Sequence, residues 1–292
     1  WKRRPLPCCG AFLNSVATTK EKTRMTIDTI VTDLDDTLLN GEGQLSPYTL
    51  RVMHACIRKG IRLIPASGRT HASMHPFVTQ LNTGMPYIGG NGSEIMSADH
   101  QVLEQLMLDV ALGREICSFL EENGFYVQVY RDQEFYYANE CDMSRRYKRS
   151  SGMKGVAVGN LGAFLDFPTP KVLSVNEADE VRRLFPIANE RFKGRATFTV
   201  SKPYFLEAEP IGATKGEALR RLARRINIVP ERTAAFGDSL NDLSMLDFTP
   251  NSVAVGNARP EVQAAAAYVC RPNTEDGLAH FVAEHILKED VP

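Results

Sequence analysis

The stretch Thr29-Ile30-Val31-Thr32-Asp33-Leu34-Asp35-Asp36-Thr37 decides the reading of this chain. With Ile27 before it, it passes from a short β-branched run straight into a cluster of carboxylates. Such a run over residues 27–33 predicts a strand buried on both faces. Acids at the carboxyl end of that strand stand where open α/β sheets bind their ligands. Outward from it, a loop with Asn40, Gly41 and Gly43 leads to Ser46, a helix N-cap, with Pro47 at the first helical position. Leu50, Met53 and Ile57 then share one helix face, and Gly60 follows its end. Residues 61–66 predict a second buried strand, after which Ser67-Gly68-Arg69 leads toward the next helix.

The alternation returns late in the chain. Thr214 can cap a helix carrying Ala218, Leu219, Leu222 and Ile226, and residues 233–237 predict a strand ending at Asp238. Strand-like residues 252–255, an Ala-rich helix after Pro260, a short strand at 268–270 and a final helix over 274–287 complete the series. The expectation is an α/β fold, a Rossmann-like parallel sheet covered on both faces. Between, residues 125–130 and 135–137 read as paired strands around the turn at 131–134, which predicts an inserted α+β module. The basic run from Arg145 to Lys154 lacks interleaved aromatics apart from Tyr147 and reads as a solvated face.

Gly237-Asp238-Ser239-Leu240-Asn241-Asp242 is a second acidic cluster at a strand end. If the two strands are neighbours, Asp33, Asp35, Asp238 and Asp242 converge, and their repulsion calls for a divalent cation. Mg²⁺ suits such oxygen donors beside a phosphate. Ser67 and Gly68 offer a hydroxyl and backbone N–H groups at a helix start, and Lys215 a compact positive charge. Each alone reads as an ordinary turn or helix residue; together they read as a metal-plus-phosphate site.

In these four segments, in this order, the sequence resembles the haloacid dehalogenase superfamily. Gly89-Gly90-Asn91-Gly92-Ser93 ahead of a long insert narrows the resemblance to its Cof-like phosphatases. The resemblance implies a core of residues 25–92 and 205–292 with a cap domain over 93–204. It implies Asp33 as the nucleophile that forms an aspartyl-phosphate and Asp35 as general acid and base. Ser67, Gly68 and Lys215 would hold the phosphoryl group, Asn241 would support it, and Asn91 would touch substrate at the cap hinge. Mg²⁺ would be held by Asp33, the Asp35 carbonyl and Asp238, with Asp242 orienting around it. Asp36 stands where the family often has Gly. The implied activity is Mg²⁺-dependent hydrolysis of a small phosphorylated metabolite such as a sugar phosphate. A phosphomutase and a non-catalytic phosphometabolite sensor are the alternatives.

The rest of the chain narrows the classes. The 292 residues carry 34 Lys plus Arg against 35 Asp plus Glu, so no global field recruits nucleic acid or an anionic membrane. Six cysteines without a CxxC pair indicate neither a zinc ribbon nor a disulfide framework, and a cytoplasmic setting is expected. No apolar run suffices for a membrane span. His71 and His75 stand four apart but lack the metalloprotease Glu, and His280 and His285 lack the inverted zinc spacing. No phosphate loop of the GxxxxGK[ST] kind is present. Residues 1–24 read as an N-terminal extension or processed segment. Nothing in the sequence fixes an oligomeric state.

Overall fold

The computed structural model describes residues 26–291, so the expected N-terminal extension, with Cys8 and Cys9, lies outside the described residues. In chain order the strands are β1 (Thr29–Thr32), β2 (Arg62–Pro65), β3 (Tyr87–Gly89), β4 (Glu94–Met96), β5 (Val102–Gln105), β6 (Tyr126–Arg131) and β7 (Glu134–Tyr137). They continue with β8 (Lys154–Ala157), β9 (Val172–Val175), β10 (Ala196–Thr199), β11 (Phe205–Pro210), β12 (Thr233–Gly237), β13 (Asn251–Ala254) and β14 (Tyr268–Val269).

The first sheet has five strands in the order β14-β13-β12-β1-β2, all parallel. Alternation along each strand feeds two cores. Ile30, Leu63, Phe236 and Val253 pack on one face with Val52 and Met53 of the helix Pro47–Arg58 and with the C-terminal helices. Val31, Ile64, Ala235 and Ala254 pack on the other with Leu219 and Leu222 of the helix Lys215–Ile226. Ser46 caps the first of these helices by accepting from the Thr49 N–H at 2.9 Å, and Thr214 caps the second by accepting from Glu217 at 3.2 Å.

The strands of the expected insert divide between two sheets. β4 and β5 pair with β3, beside the core, whereas β6–β10 are joined by β11, which lies just past the expected insert and within the expected core, in a six-stranded sheet of order β10-β11-β9-β6-β7-β8. One face of this larger sheet, with Val127, Val129, Val172, Leu206 and Ala208, packs on the helices Val110–Glu122 and Ala178–Arg191. The Arg145 to Lys154 run forms most of the helix Asp142–Ser151 and the start of β8; Arg145, Arg146, Arg149 and Lys154 are exposed. Met153 is buried and Tyr147 turns inward, its hydroxyl receiving the Tyr130 hydroxyl proton at 2.8 Å.

The final helix is not continuous. A short turn at Asn273–Glu275 ends at Asp276, whose φ of 51° lies in the left-handed region, and only then does Gly277–Phe281 begin. Asp276 is fixed there by the Thr49 hydroxyl, 3.1 Å from its Oδ1. That backbone break is what an apolar count over 274–287 misses. No helix among the described residues is long and apolar enough to cross a membrane.

Candidate active site

Register brings the two acidic clusters together. β1 pairs with β12 so that Thr32 faces Phe236, and the Asp33 N–H donates to the Phe236 carbonyl at 3.0 Å. Asp33 therefore leaves its strand beside Gly237, one residue before Asp238. On the other side Thr32 faces Pro65, which places Ser67 just past the end of β2. Ser67 is held there by its N–H donating to the Ile88 carbonyl at 2.9 Å.

The centre is a buried carboxylate group around one ammonium. Lys215 Nζ donates to Asp33 Oδ1 at 2.5 Å and to Asp242 Oδ1 at 2.6 Å, with only 1% of the lysine side chain exposed. Asp242 spends its other oxygen on the N–H groups of Asp238 and Ser239, each at 3.0 Å. A Cβ on residue 237 would lie 2.5 Å from that of Asp242, so a glycine is required for the turn to close. Asp238 Oδ1 accepts from the Thr37 hydroxyl at 2.9 Å and Oδ2 from Ser239 at 2.8 Å.

Oxygens of Asp33, Asp238 and Asp242 all lie within 4.8 Å of one another. Burial, only partly offset by Lys215, and then repulsion from Asp242, Asp238 and Asp35 hold the Asp33 carboxyl well above its ordinary range. Burial and Asp242 push Asp238 up to about 6. Three carboxylates facing one ammonium are short of positive charge, and their donors are hard oxygens. The set fits a divalent cation of the Mg²⁺ type. The Asn241 Oδ1, buried at the same place without a partner among the described residues, is a further acceptor.

Asp35 has a different environment. Arg69 grips it with two bonds, Nε to Oδ2 at 2.7 Å and Nη2 to Oδ1 at 2.8 Å. Burial opposes ionisation, but the Arg69 guanidinium prevails and holds the Asp35 carboxyl below its usual range. The next residue, Asp36, sits at φ 56°. The left-handed region favours glycine and tolerates Asp, so the departure at this position costs little. Asn91, also left-handed at φ 55°, receives the Asn241 amide proton on its Oδ1 at 2.8 Å and donates to Glu209 Oε1 at 2.5 Å.

These residues floor a cavity of about 190 Å³ whose other wall comes from the six-stranded sheet and its loops. Asp33, Asp35, Ser67, Gly68, Asp238 and Asn241 line it from below, and Tyr147, Lys171, Ser201, Lys202 and Glu207 from above. Lys215, Asp242 and Asn91 stand just behind. Lys171, Ser201, Lys202, Glu207 and the Arg69 clamp carry no local mark in the sequence, and Tyr147, expected on a solvated face, instead lines the cavity. Arg69 belongs to the Ser67-Gly68-Arg69 segment, whereas the alternation Leu206-Glu207-Ala208-Glu209 has nothing local that marks a site. Glu207 and Glu209 are in fact 2% and 0% exposed, because the face they occupy closes over the site.

Among the described residues no histidine joins a cluster of three potential metal ligands. The His71 Nδ1 lies 3.7 Å from Glu94 Oε1, His75 packs on the His100 ring at 4.5 Å, and His280 meets the Tyr48 hydroxyl at 3.4 Å. The cysteines Cys56, Cys117, Cys141 and Cys270 are free.

A family model for haloacid dehalogenase-like hydrolases matches residues 30–282. The phosphatase YwpJ of Bacillus subtilis is 29% identical over 286 residues, covering 88% of this chain and 99% of its own. The 5-amino-6-(5-phospho-D-ribitylamino)uracil phosphatase YwtE of the same organism is 26% identical, covering 87% and 96%. Among solved structures, a haloacid dehalogenase-like hydrolase from Bacteroides thetaiotaomicron superposes with a TM-score of 0.80 at 28% identity, covering 88% of this chain and 99% of that one. With the match spanning both acidic clusters and everything between, the chain belongs to the haloacid dehalogenase-like hydrolases, in their Cof-like branch.

Proposed function

We propose that the protein is a Mg²⁺-dependent phosphatase that hydrolyses a small phosphorylated metabolite, a sugar phosphate or similar monoester, through an aspartyl-phosphate on Asp33. One observation carries the reading: Asp33 and Lys215, brought together from opposite sides of the insert, meet at the floor of a cavity that Asp35 also lines. The relatives' printed names support the phosphate-ester chemistry. The cavity, about 190 Å³, falls below the roughly 300–1,000 Å³ of sites for drug-sized ligands, which favours a small leaving group.

In the first step an Asp33 carboxylate oxygen attacks phosphorus and the bond to the ester oxygen breaks. Asp35 gives its proton to the departing alcohol. In the second step Asp35 takes a proton from water, the water oxygen attacks phosphorus, and phosphate leaves with Asp33 restored. The Arg69 pair presets Asp35 as a carboxylate, suited to the second step; the first requires the pair to loosen and Asp35 to take up a proton.

Asp33, the Asp35 carbonyl and Asp238 would hold the Mg²⁺, which when bound supplies charge neutralisation for the phosphoryl oxygens. Asp242, with both oxygens engaged by Lys215 and backbone N–H groups, is suited to orienting rather than ligating. Ser67, Gly68 and Lys215 bind the phosphoryl group, and Asn241 supports it from beside Asn91. We take residues 93–204 as the cap that selects the leaving group. Uncatalysed monoester hydrolysis is slow enough for accelerations of up to about 10²¹, far beyond the roughly 10²–10⁴ of one acid–base group. Most of the effect must come from this electrostatic clamp.

A phosphate-release screen over sugar phosphates, nucleotides and flavin phosphates, with and without Mg²⁺, tests the reading. Mg²⁺-dependent release from a subset of small esters supports it. No release from any ester, or release indifferent to chelator, contradicts it.

A further inference from the structure

Lys171 immediately precedes β9, which runs antiparallel to β11 with Leu173 opposite Glu207 and Val172 opposite Ala208. Alternation sends Val172 and Ala208 into the apolar core beneath the six-stranded sheet and leaves Lys171 and Glu207 on the face that roofs the cavity. Their side chains are 3% and 2% exposed, and Lys171 Nζ donates to Glu207 Oε2 at 2.5 Å. Burying both charges costs desolvation that their attraction does little more than offset. A well-packed apolar pair would hold this sheet as well. Stability is therefore a poor account of the pair.

The second bond of Lys171 gives a better one. Nζ also donates to the Gly68 carbonyl at 2.8 Å, reaching from the insert to the turn after β2. The Gly68 C=O and the Arg69 N–H belong to one planar trans peptide and point in opposite directions. On its far side that peptide's N–H donates to Ser67 Oγ at 3.2 Å. The Ser67 hydroxyl thus accepts from the backbone, and its own proton is committed to no protein group among the described residues. Asn91 backs the turn from behind, since its Oδ1 would lie 2.8 Å from a Cβ at residue 68.

We propose that Lys171 is a positioning residue for phosphoryl binding: by gripping the Gly68–Arg69 peptide from the insert, it holds the Ser67 hydroxyl with its proton directed at the incoming phosphoryl oxygen. This rests on the phosphatase reading above. It adds that the insert completes the phosphate-binding turn as well as covering it.

The test uses the full chain and inorganic phosphate as probe, with affinity measured by calorimetry in Mg²⁺. Lys171→Met alone strands Glu207 as a buried unpaired carboxylate and can fail to fold. Lys171→Met/Glu207→Gln removes the charges together and is the informative variant. It is expected to melt near the wild-type temperature yet bind phosphate about tenfold more weakly, the change that about 1.4 kcal/mol produces. Its KM for p-nitrophenyl phosphate should rise in proportion, with a smaller change in kcat. Ser67→Ala should weaken phosphate binding in the wild-type background and add little in the double variant, because the two act through one hydroxyl. Unchanged phosphate affinity in the folded double variant, or an equal Ser67→Ala penalty in both backgrounds, overturns the proposal alone. Failure of the wild-type protein to bind phosphate in Mg²⁺ strikes the phosphatase reading and this proposal with it.

Discussion

Lys215 Nζ stands 2.5 Å from Asp33 Oδ1 although 182 positions separate them in the chain, with the whole insert between. The contact exists because β1 and β12 are neighbours in the sheet and the helix Lys215–Ile226 begins behind their ends. It holds one candidate nucleophile oxygen in place and also balances part of its charge. Lys215→Ala should therefore cost both fold and function. It leaves Asp33 and Asp242 buried with no cation, a loss of about 3–5 kcal/mol. Thermal melts with and without Mg²⁺ check this: the cation should restore part of the lost stability, and no restoration would mean that it binds elsewhere.

Asp238 has its two oxygens held by Thr37 and Ser239 and no lysine of its own within salt-bridge reach among the described residues. Asp238→Ala is expected to raise the Mg²⁺ concentration for half-maximal activity by about 10–100-fold, the range seen when groups supporting a metal are lost. A Mg²⁺ titration of activity reads this directly, and an unchanged midpoint would remove Asp238 from the metal site.

Asp35→Asn keeps the shape of the side chain but cannot exchange a proton. Turnover should fall about 10²–10⁴-fold while phosphate affinity in Mg²⁺ stays within a few-fold of wild type. Arg69→Lys should show a milder loss, since an ammonium cannot reproduce the paired bonds of the guanidinium. Steady-state kinetics beside phosphate calorimetry separates the two effects.

Glu209 lies buried, and burial together with Glu207 holds its carboxyl well above the ordinary range. Its carboxyl oxygens accept from Asn91 and from Thr199. Glu209→Gln should leave stability within about 0.5 kcal/mol. Glu209→Ala, which orphans the Asn91 amide, should cost about 1–3 kcal/mol. Chemical denaturation of the two variants distinguishes them.

His71 supplies a pH dependence away from the chemistry. The neighbouring Glu94 carboxylate, against some burial, raises the His71 imidazolium above its ordinary 6.5. A group raised on folding stabilises fully below its unfolded value and loses that contribution as pH climbs through the folded one. Stability should thus fall on moving from pH 6 to pH 8, by less than about 1 kcal/mol, because His71 keeps 24% of its side chain in water although Glu94 is buried. His71→Gln should flatten that slope, which denaturation midpoints at the two pH values measure.

The features legible in the sequence were those with local punctuation. Ser46 and Thr214 announce their helices, the runs around Ile30 and Ala235 announce buried strands, and acids at strand ends announce the site. What escaped depends on partners distant in the chain. Glu207 and Glu209 alternate with apolar residues as any half-exposed strand does, and only the docking of that face over the core buries them. Arg69 lies within a motif, but its grip on Asp35 is set by the pairing of β1 with β2. The break at Asp276 answers to the Thr49 hydroxyl across the core, a contact no helical periodicity encodes.

The central claim is that Asp33 carries the phosphoryl group. The most direct measurement is rapid acid quench of Asp35→Asn during turnover, followed by mass spectrometry of the proteolysed chain. With p-nitrophenyl phosphate, whose leaving group departs without a proton, Asn at position 35 spares the first step but cannot activate water, so the intermediate should accumulate as a phosphoryl adduct on the peptide containing Asp33, and Asp33→Asn should abolish it. Phosphate release by Asp35→Asn with no adduct at any time point, or an adduct that persists in Asp33→Asn, would contradict the account.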